Sequence, residues 1–147
     1  MSKLIGLDYG SKTVGVAVAL SEGVAKPLET IRREKENHLR KTCARIEQLI
    51  VQEGIDTIVL GLPLNMDGSE GERTAAVRAF ADMIKRRTGL RVVLVDERLT
   101  SVEAEAYLSE NYGGKRAEKK LRADVDNVAA ALILQDFIDN GCVVDEL

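Results

Sequence analysis

The sequence predicts an α/β fold, a mixed central β-sheet flanked by α-helices in the order βββαβαβαα. Three observations carry this. The first thirty or so residues hold three short β-rich runs separated by turn residues, the pattern of an antiparallel meander. Two later runs, Thr57 to Leu60 and Arg91 to Val95, are almost wholly apolar without alternation, as in strands covered on both faces of a parallel sheet. Around them lie segments whose apolar residues recur at helical spacing.

In chain order, Leu4 to Leu7 and Thr13 to Leu20 form a hairpin across the turn Tyr9-Gly10-Ser11-Lys12. A third run, Val24 to Ile31, contains Pro27, which suits an edge strand because proline cannot donate to a ladder. From Asn37 to Glu53 the residues Leu39, Cys43, Ile46, Leu49 and Ile50 mark a first helix, stopped by Gly54. Thr57 to Leu60 is ended by Gly61-Leu62-Pro63. Ser69 and Glu72 then have capping-box spacing, ahead of a helix through Ala76, Val77, Phe80, Met83 and Ile84 that ends at Gly89. Arg91 to Val95 is closed by Asp96-Glu97-Arg98. Thr100 and Glu103 open a short helix to about Leu108, Asn111 to Arg122 is a glycine-bearing basic loop or helix end, and Asp124 to Asn140 is the last helix, with Gly141 placed to cap it.

With 147 residues, 45% hydrophobic and 31% charged, the chain is expected to form one domain over 1–147, with a core that needs neither disulfides nor a structural metal. Repeat, fibrous and disordered classes are excluded. No run approaches the ~18 apolar residues of a membrane span, and the start MSKLIGLDYG meets glycine and aspartate too early for a signal peptide. The reading is cytoplasmic, with no membrane partner. Cys43 and Cys142 are too few for a disulfide framework and lack zinc-site spacing; Cys43 falls on the apolar stripe of the first helix, as a core residue does.

The net charge of −3 is unevenly spread. Residues 136–147 carry four acids and no base, an acidic tail at about 141–147, which leaves residues 1–135 at +1. Thr30 to Arg45 and Lys115 to Arg122 each sum to +4. Such clusters solvate a surface or meet a phosphate backbone. The candidate nucleic-acid contacts are Lys12 in the hairpin turn, Arg98 beside Glu97, and Lys115, Arg116, Lys119, Lys120 and Arg122. For Arg98 a surface salt bridge is the alternative. His38, the single histidine, lies on a charged helical face and is not read as a general base.

Three acids stand out. Asp8 and Glu97 follow apolar strands directly, at the carboxyl ends where open α/β sheets place ligands, although aspartate at a strand end also forms turns. Asp126 shares the stripe of Ala129, Ala130, Ile133 and Phe137, where a carboxylate must be neutralised, hydrogen-bonded or bound to metal, whereas Asp124 sits at the N-cap, where capping explains it. If these elements meet, Asp8, Glu97 and Asp126 form a catalytic, metal-binding group of hard oxygen donors suited to Mg²⁺ or Mn²⁺. The matching chemistry is phosphodiester hydrolysis with two ions about 3.5–4 Å apart. Gly10 and Gly15 let the neighbouring hairpin approach a phosphate or metal closely, or simply turn tightly. The loop Gly61 to Gly68, running into a helix start, favours an anion, while Asn65 and Asp67 also suit a turn.

The segments GLDYGSKTVGVAVA (Gly6 to Ala19), GLPLNMDGSE (Gly61 to Glu70), DERLTSVEA (Asp96 to Ala104) and DNVAAALIL (Asp126 to Leu134) occur in the order found in the YqgF family, which the chain resembles over nearly its whole length. Members are called pre-16S rRNA nucleases or Holliday-junction resolvases. The resemblance implies an RNase H-like fold with a five-stranded mixed sheet, and puts the family's acidic positions on Asp8, Glu97 and Asp126.

The function expected is that of a metal-dependent endonuclease on structured nucleic acid. Through the resemblance, the expected process is 5′-end processing of pre-16S rRNA in ribosome biogenesis. A Holliday-junction resolvase acting on branched DNA is one alternative, and a non-catalytic ribosome-assembly factor that binds nucleic acid is another. Partners would be structured RNA or branched DNA and ribosomal particles, with monomer and homodimer both open. The glycine-bearing hairpin after Asp8 also resembles the phosphate-binding motif of actin-like ATPases, but those enclose ATP between two such domains. Five Phe and Tyr residues and no Trp argue against a base-stacking platform.

Overall fold

A computed structural model gives the fold; the described residues are 2–21, 23–98 and 125–147, with 125 and 126 described in backbone alone. The helix expected from Thr100, the basic stretch to Arg122 and Asp124 lie outside the described residues. The elements are β1 (Leu4–Tyr9), β2 (Thr13–Ala19), β3 (Lys26–Arg32), α1 (Arg40–Glu53), β4 (Thr57–Leu62), α2 (Glu72–Thr88), β5 (Arg91–Asp96), α3 (Val125–Asn140) and β6 (Val143–Glu146).

One mixed sheet runs β3-β2-β1-β4-β5-β6. The meander β1–β2–β3 is antiparallel, β4 joins β1 in parallel, β5 joins β4 in parallel, and β6 returns antiparallel to β5. Strand period two sorts the side chains. Ile5, Leu7, Val14, Val16, Ile58, Leu60, Val92 and Leu94 pack with α1 and α2, while Ala17, Ala19, Val59, Val93 and Val95 pack with α3. The α3 face is built from smaller residues because the helix comes close. A Cβ at Gly6 would stand 2.8 Å from Leu134 Cβ and 3.0 Å from the Ala130 carbonyl oxygen.

Pro27 lies on the edge strand β3, where the register shifts between Val16 and Ala17, as the sequence leads one to expect. Gly54, at φ 67°, ends α1 in the left-handed region that glycine adopts freely. Cys43 is fully buried, its Sγ 3.8 Å from Met83 Sδ, and both cysteines are free thiols.

Four expectations are corrected. The sheet has six strands, not five, because the acidic tail is β6. β5 would otherwise leave an edge of unpaired backbone, and the tail takes it up, with Leu147 N–H donating to the Val92 carbonyl at 2.8 Å. The tail's acids are paired, Asp145 with Arg78 at 2.9 Å and Glu146 with Arg91. β1 and β4 run two residues further than their apolar runs, through Tyr9 and Leu62, so Asp8 and Gly61 are within strands. α1 starts at Arg40, not Asn37. α2 starts at Glu72 with Gly71 as its N-cap, and Thr74 replaces the expected box: its hydroxyl accepts from Gly71 N–H at 3.1 Å and donates to the Pro63 carbonyl. Ser69 instead belongs to a turn, its amide and hydroxyl both donating to Asp67 Oδ1. Asn65 closes that turn through Nδ2 to Ser69 Oγ at 2.9 Å, so Asn65 and Asp67 are turn residues. No helix among the described residues is long and apolar enough to cross a membrane.

Candidate functional site

Asp8 is half-buried near the carboxyl end of β1, and strand alternation puts it with Gly6 on the α3 face. Its partner across the antiparallel ladder is Gly15. On the other side β1 pairs with β4 through Leu7 and Leu60, so the next β4 residue, Gly61, flanks Asp8. Two positions without side chains therefore border this carboxylate on one face of the sheet.

Glu97 follows β5 and donates its amide to the Leu62 carbonyl at 3.4 Å. Its carboxylate folds back over Gly61. A Cβ at Gly61 would stand 2.6 Å from Glu97 Oε2 and 2.7 Å from Ile133 Cδ1, so the space Glu97 uses exists only because residue 61 is glycine. Burial first, then the charges of Asp8 and Asp96, push the Glu97 carboxyl from an ordinary 4.5 up to about 7, with Arg73 pulling the other way. Two acids are thus held where repulsion and desolvation disfavour both being ionised.

Of the predicted carboxylates, the structure brings Asp8 and Glu97 together. Asp126 lies in the first turn of α3, the helix whose Ile133 packs at Gly61, but its side chain is outside the description. Among the described residues no three metal-ligating side chains gather. The donor set is nonetheless suitable for a hard cation: two carboxylates in a recess, one with a strongly raised affinity for protons, are the groups whose charge a divalent ion would offset.

Arg98 forms the salt bridge that was its alternative. Its guanidinium reaches Asp96 at 2.8 Å and the Met66 carbonyl at 3.2 Å, which lowers the Asp96 pKa. Lys12 is exposed in the hairpin turn, its carbonyl accepting from Arg33 N–H at 2.8 Å. Lys115, Arg116, Lys119, Lys120 and Arg122 lie outside the described residues. Sequence reasoning missed Arg73, whose charge reaches Glu97. It stands in the first turn of α2, donating to Glu36 Oε1 at 2.5 Å and to the Tyr9 carbonyl at 3.4 Å. The available signal was electrostatic: a cation in a first helical turn opposes the helix dipole.

Comparison with known proteins places this geometry. The family model described as RuvX, Holliday junction resolvase, matches residues 2–140. A protein of Lachnospira eligens named "Putative pre-16S rRNA nuclease" is 48% identical over 139 residues, 94% of this chain and 97% of that protein. One of the same name from Agathobacter rectalis is 46% identical over 138 residues, covering 93% and 94%. Among solved structures, RuvC of T. thermophilus in complex with a Holliday junction substrate superposes with a TM-score of 0.63 at 14% identity, covering 97% of this chain and 98% of that one. The Fowlpox virus resolvase bound to junction DNA gives 0.54 at 10% identity, covering 93% and 97%. These likenesses establish the RNase H-like architecture, and the match along nearly the whole sequence shows that the chain belongs to the RuvX, or YqgF, family.

Proposed function

We propose that the protein is a metal-dependent endonuclease acting on structured nucleic acid, with precursor 16S rRNA as substrate. The observation that carries this is the pairing of Asp8 and Glu97 on one face of the sheet, beside Gly15 and Gly61, which bring no side chains of their own to that face. Asp126 completes the group from α3, and support for including it is the packing of that helix against the same face through Ala130 and Ile133. Asp8, Glu97 and Asp126 would hold Mg²⁺ or Mn²⁺, which when bound stabilises the attacking and leaving oxygens of an in-line displacement.

The chain's own groups do the positioning. Gly61 leaves Glu97 room to lie over the sheet, and the β1–β4 ladder fixes Asp8 beside it. Below about pH 7 Glu97 retains a proton on its carboxyl in the absence of a cation, so ion loading releases that proton. Lys12, Arg98, Lys115, Arg116, Lys119, Lys120 and Arg122 are assigned to the nucleic-acid backbone, Arg98 after exchange of its Asp96 partner. Ribosomal precursor RNA is favoured by the names of the relatives at 46–48% identity. Branched DNA is the second reading, favoured by the description of the matching family.

Purified protein incubated with pre-16S rRNA and with a four-way DNA junction, in Mg²⁺, Mn²⁺ or chelator, tests this. Metal-dependent cleavage is expected, absent in Asp8→Asn, which removes a charge but almost no volume. Cleavage of neither substrate with either metal, or full activity in folded Asp8→Asn, overturns the proposal.

A further inference from the structure

The start of α1 runs against helix electrostatics. A helix N-terminus carries roughly half a positive charge, and acids in the first turn stabilise it. α1 has no acid there and begins instead with Arg40 and Lys41. Leu39 at the N-cap supplies no side-chain acceptor, and the amides of Arg40, Lys41 and Thr42 have no acceptor among the described residues. These residues line a cleft of about 640 Å³ shared with Arg32, Arg33 and His38, in which Glu34 is the one carboxylate.

The arginines here differ from those elsewhere. Among the described residues Arg45, Arg73, Arg78, Arg87, Arg91 and Arg98 each pair with a carboxylate. The arginines that do not are Arg32, Arg33, Arg40 and Arg86, and the first three line this cleft. Arg33 is only 9% exposed. Its guanidinium lies 4.7 Å from the Tyr9 ring centroid, Nη2 donates to the Gly10 carbonyl at 2.6 Å and Nε to the Glu36 carbonyl at 3.1 Å. Nη1 is buried with no partner. A buried guanidinium with no carboxylate partner keeps its full positive charge beside the cleft that it lines, and a bound anion would offset that charge.

We propose that this cleft binds a phosphate of the polynucleotide backbone, with the first-turn amides of Arg40 and Lys41 donating to its oxygens and the side chains of Arg32, Arg40 and Lys41 supplying charge, reinforced by the buried Arg33. Open amides at a helix N-terminus are a general phosphate ligand. Arg33 also ties the cleft to β1: it holds the carbonyl of Gly10, two residues beyond Asp8, and stacks on Tyr9, whose side chain lies on the opposite face from Asp8. The inference rests on the nuclease reading, since it needs a polynucleotide substrate.

Replacing Arg33 would also remove its bonds to Gly10 and Glu36, so the test uses the exposed pair. Binding of a structured RNA and of a four-way DNA junction, each in 5′-hydroxyl and 5′-phosphate forms, is measured by anisotropy in chelator against salt. The Arg40→Ser/Lys41→Ser double variant should bind at least ~10-fold more weakly near 0.1 M salt, its log–log salt slope flatter by about 1.4–1.8 at ~0.7–0.9 per lost contact. It should not melt lower, because it takes cations away from a helix N-terminus. Equal loss on the two end forms supports a backbone phosphate; loss confined to the 5′-phosphate form overturns that assignment in favour of a strand terminus. Unchanged affinity and slope overturn the cleft site alone. Failure of the unmodified protein to bind either nucleic acid overturns the nuclease reading beneath it.

Discussion

Gly61 and Glu97 act as one unit, since the missing Cβ of the first is the space occupied by the second. Gly61→Ala is expected to displace the Glu97 carboxylate and the Ile133 methyl, both flexible side-chain ends, at a stability cost of only about 1 kcal/mol. A shift of ~1 Å in a catalytic group costs on the order of 10²-fold in rate, so cleavage should fall far more than stability. Paired rate and melting measurements check this; a variant that unfolds at low temperature, or cleaves normally, contradicts it. Glu97 also sets a pH dependence. Its folded pKa of about 7 lies above the unfolded value near 4.5, so the native state holds the proton more tightly. The associated stability is present below about pH 4.5 and lost as pH rises through 7, roughly 3 kcal/mol in all. In chelator, Glu97→Gln should therefore raise the melting temperature relative to the unmodified protein at pH 8 and much less at pH 4.5. An equal difference at both pH values would show that burial and the Asp8 charge do not act on Glu97 in this way.

At the scale of elements, α3 is the piece packed against the sheet face that carries Asp8 and Gly61. It approaches β1 at Gly6 so closely that a methyl group there would meet the Leu134 Cβ and the Ala130 carbonyl, neither of which can swing aside. Gly6→Ala should destabilise by about 1–3 kcal/mol, the usual penalty of overpacking, and the displaced helix should carry Asp126 with it and lower cleavage too. Denaturant unfolding and a cleavage assay on the same preparation test both effects. A neutral Gly6→Ala would mean that α3 packs more loosely than its contacts imply. The short helix expected near Thr100 has no such argument, because it lies outside the described residues.

Over the whole molecule, the net charge of −3 understates what a phosphate backbone meets. Asp145 and Glu146 are neutralised by Arg78 and Arg91 at the β6 edge, and Arg32, Arg33 and Arg40, three of the four described arginines without a carboxylate partner, gather at the start of α1. Sequence adds Lys115 to Arg122 just before the helix that bears Asp126. If three to five of these basic residues neutralise phosphates, the log–log salt slope contributed by the segment is about −2 to −5. Lys119→Ala/Lys120→Ala should flatten the slope by about 1–2 and weaken binding to all sequences alike, since phosphate contacts position without specifying. Unchanged affinity and slope in that variant would make the segment a solvated surface.

Sequence by itself determined the α/β class, the meander with Pro27 at its edge and the glycine ends of all three described helices, and it singled out Asp8 and Glu97 as candidates, because hydrophobic period and turn chemistry are local and an acid directly after an apolar run breaks a local rule. The tertiary structure decided what depends on partners distant in the chain. Val143–Glu146 has the composition of a solvated tail and becomes a strand only because β5 offers an unpaired edge. Thr74 caps α2 because the Pro63 carbonyl comes within reach, a contact that the Ser69 spacing could not foretell. Gly61 reads as a strand terminator until Glu97, thirty-six residues later, is seen folded into the space it leaves. Arg33 and Arg73 look like two more surface cations, and only the folded chain places one buried against Tyr9 and the other within reach of Glu97. Local pattern specifies which residues are apolar and where the chain turns; the approach of segments far apart in sequence decides which charges end up facing one another.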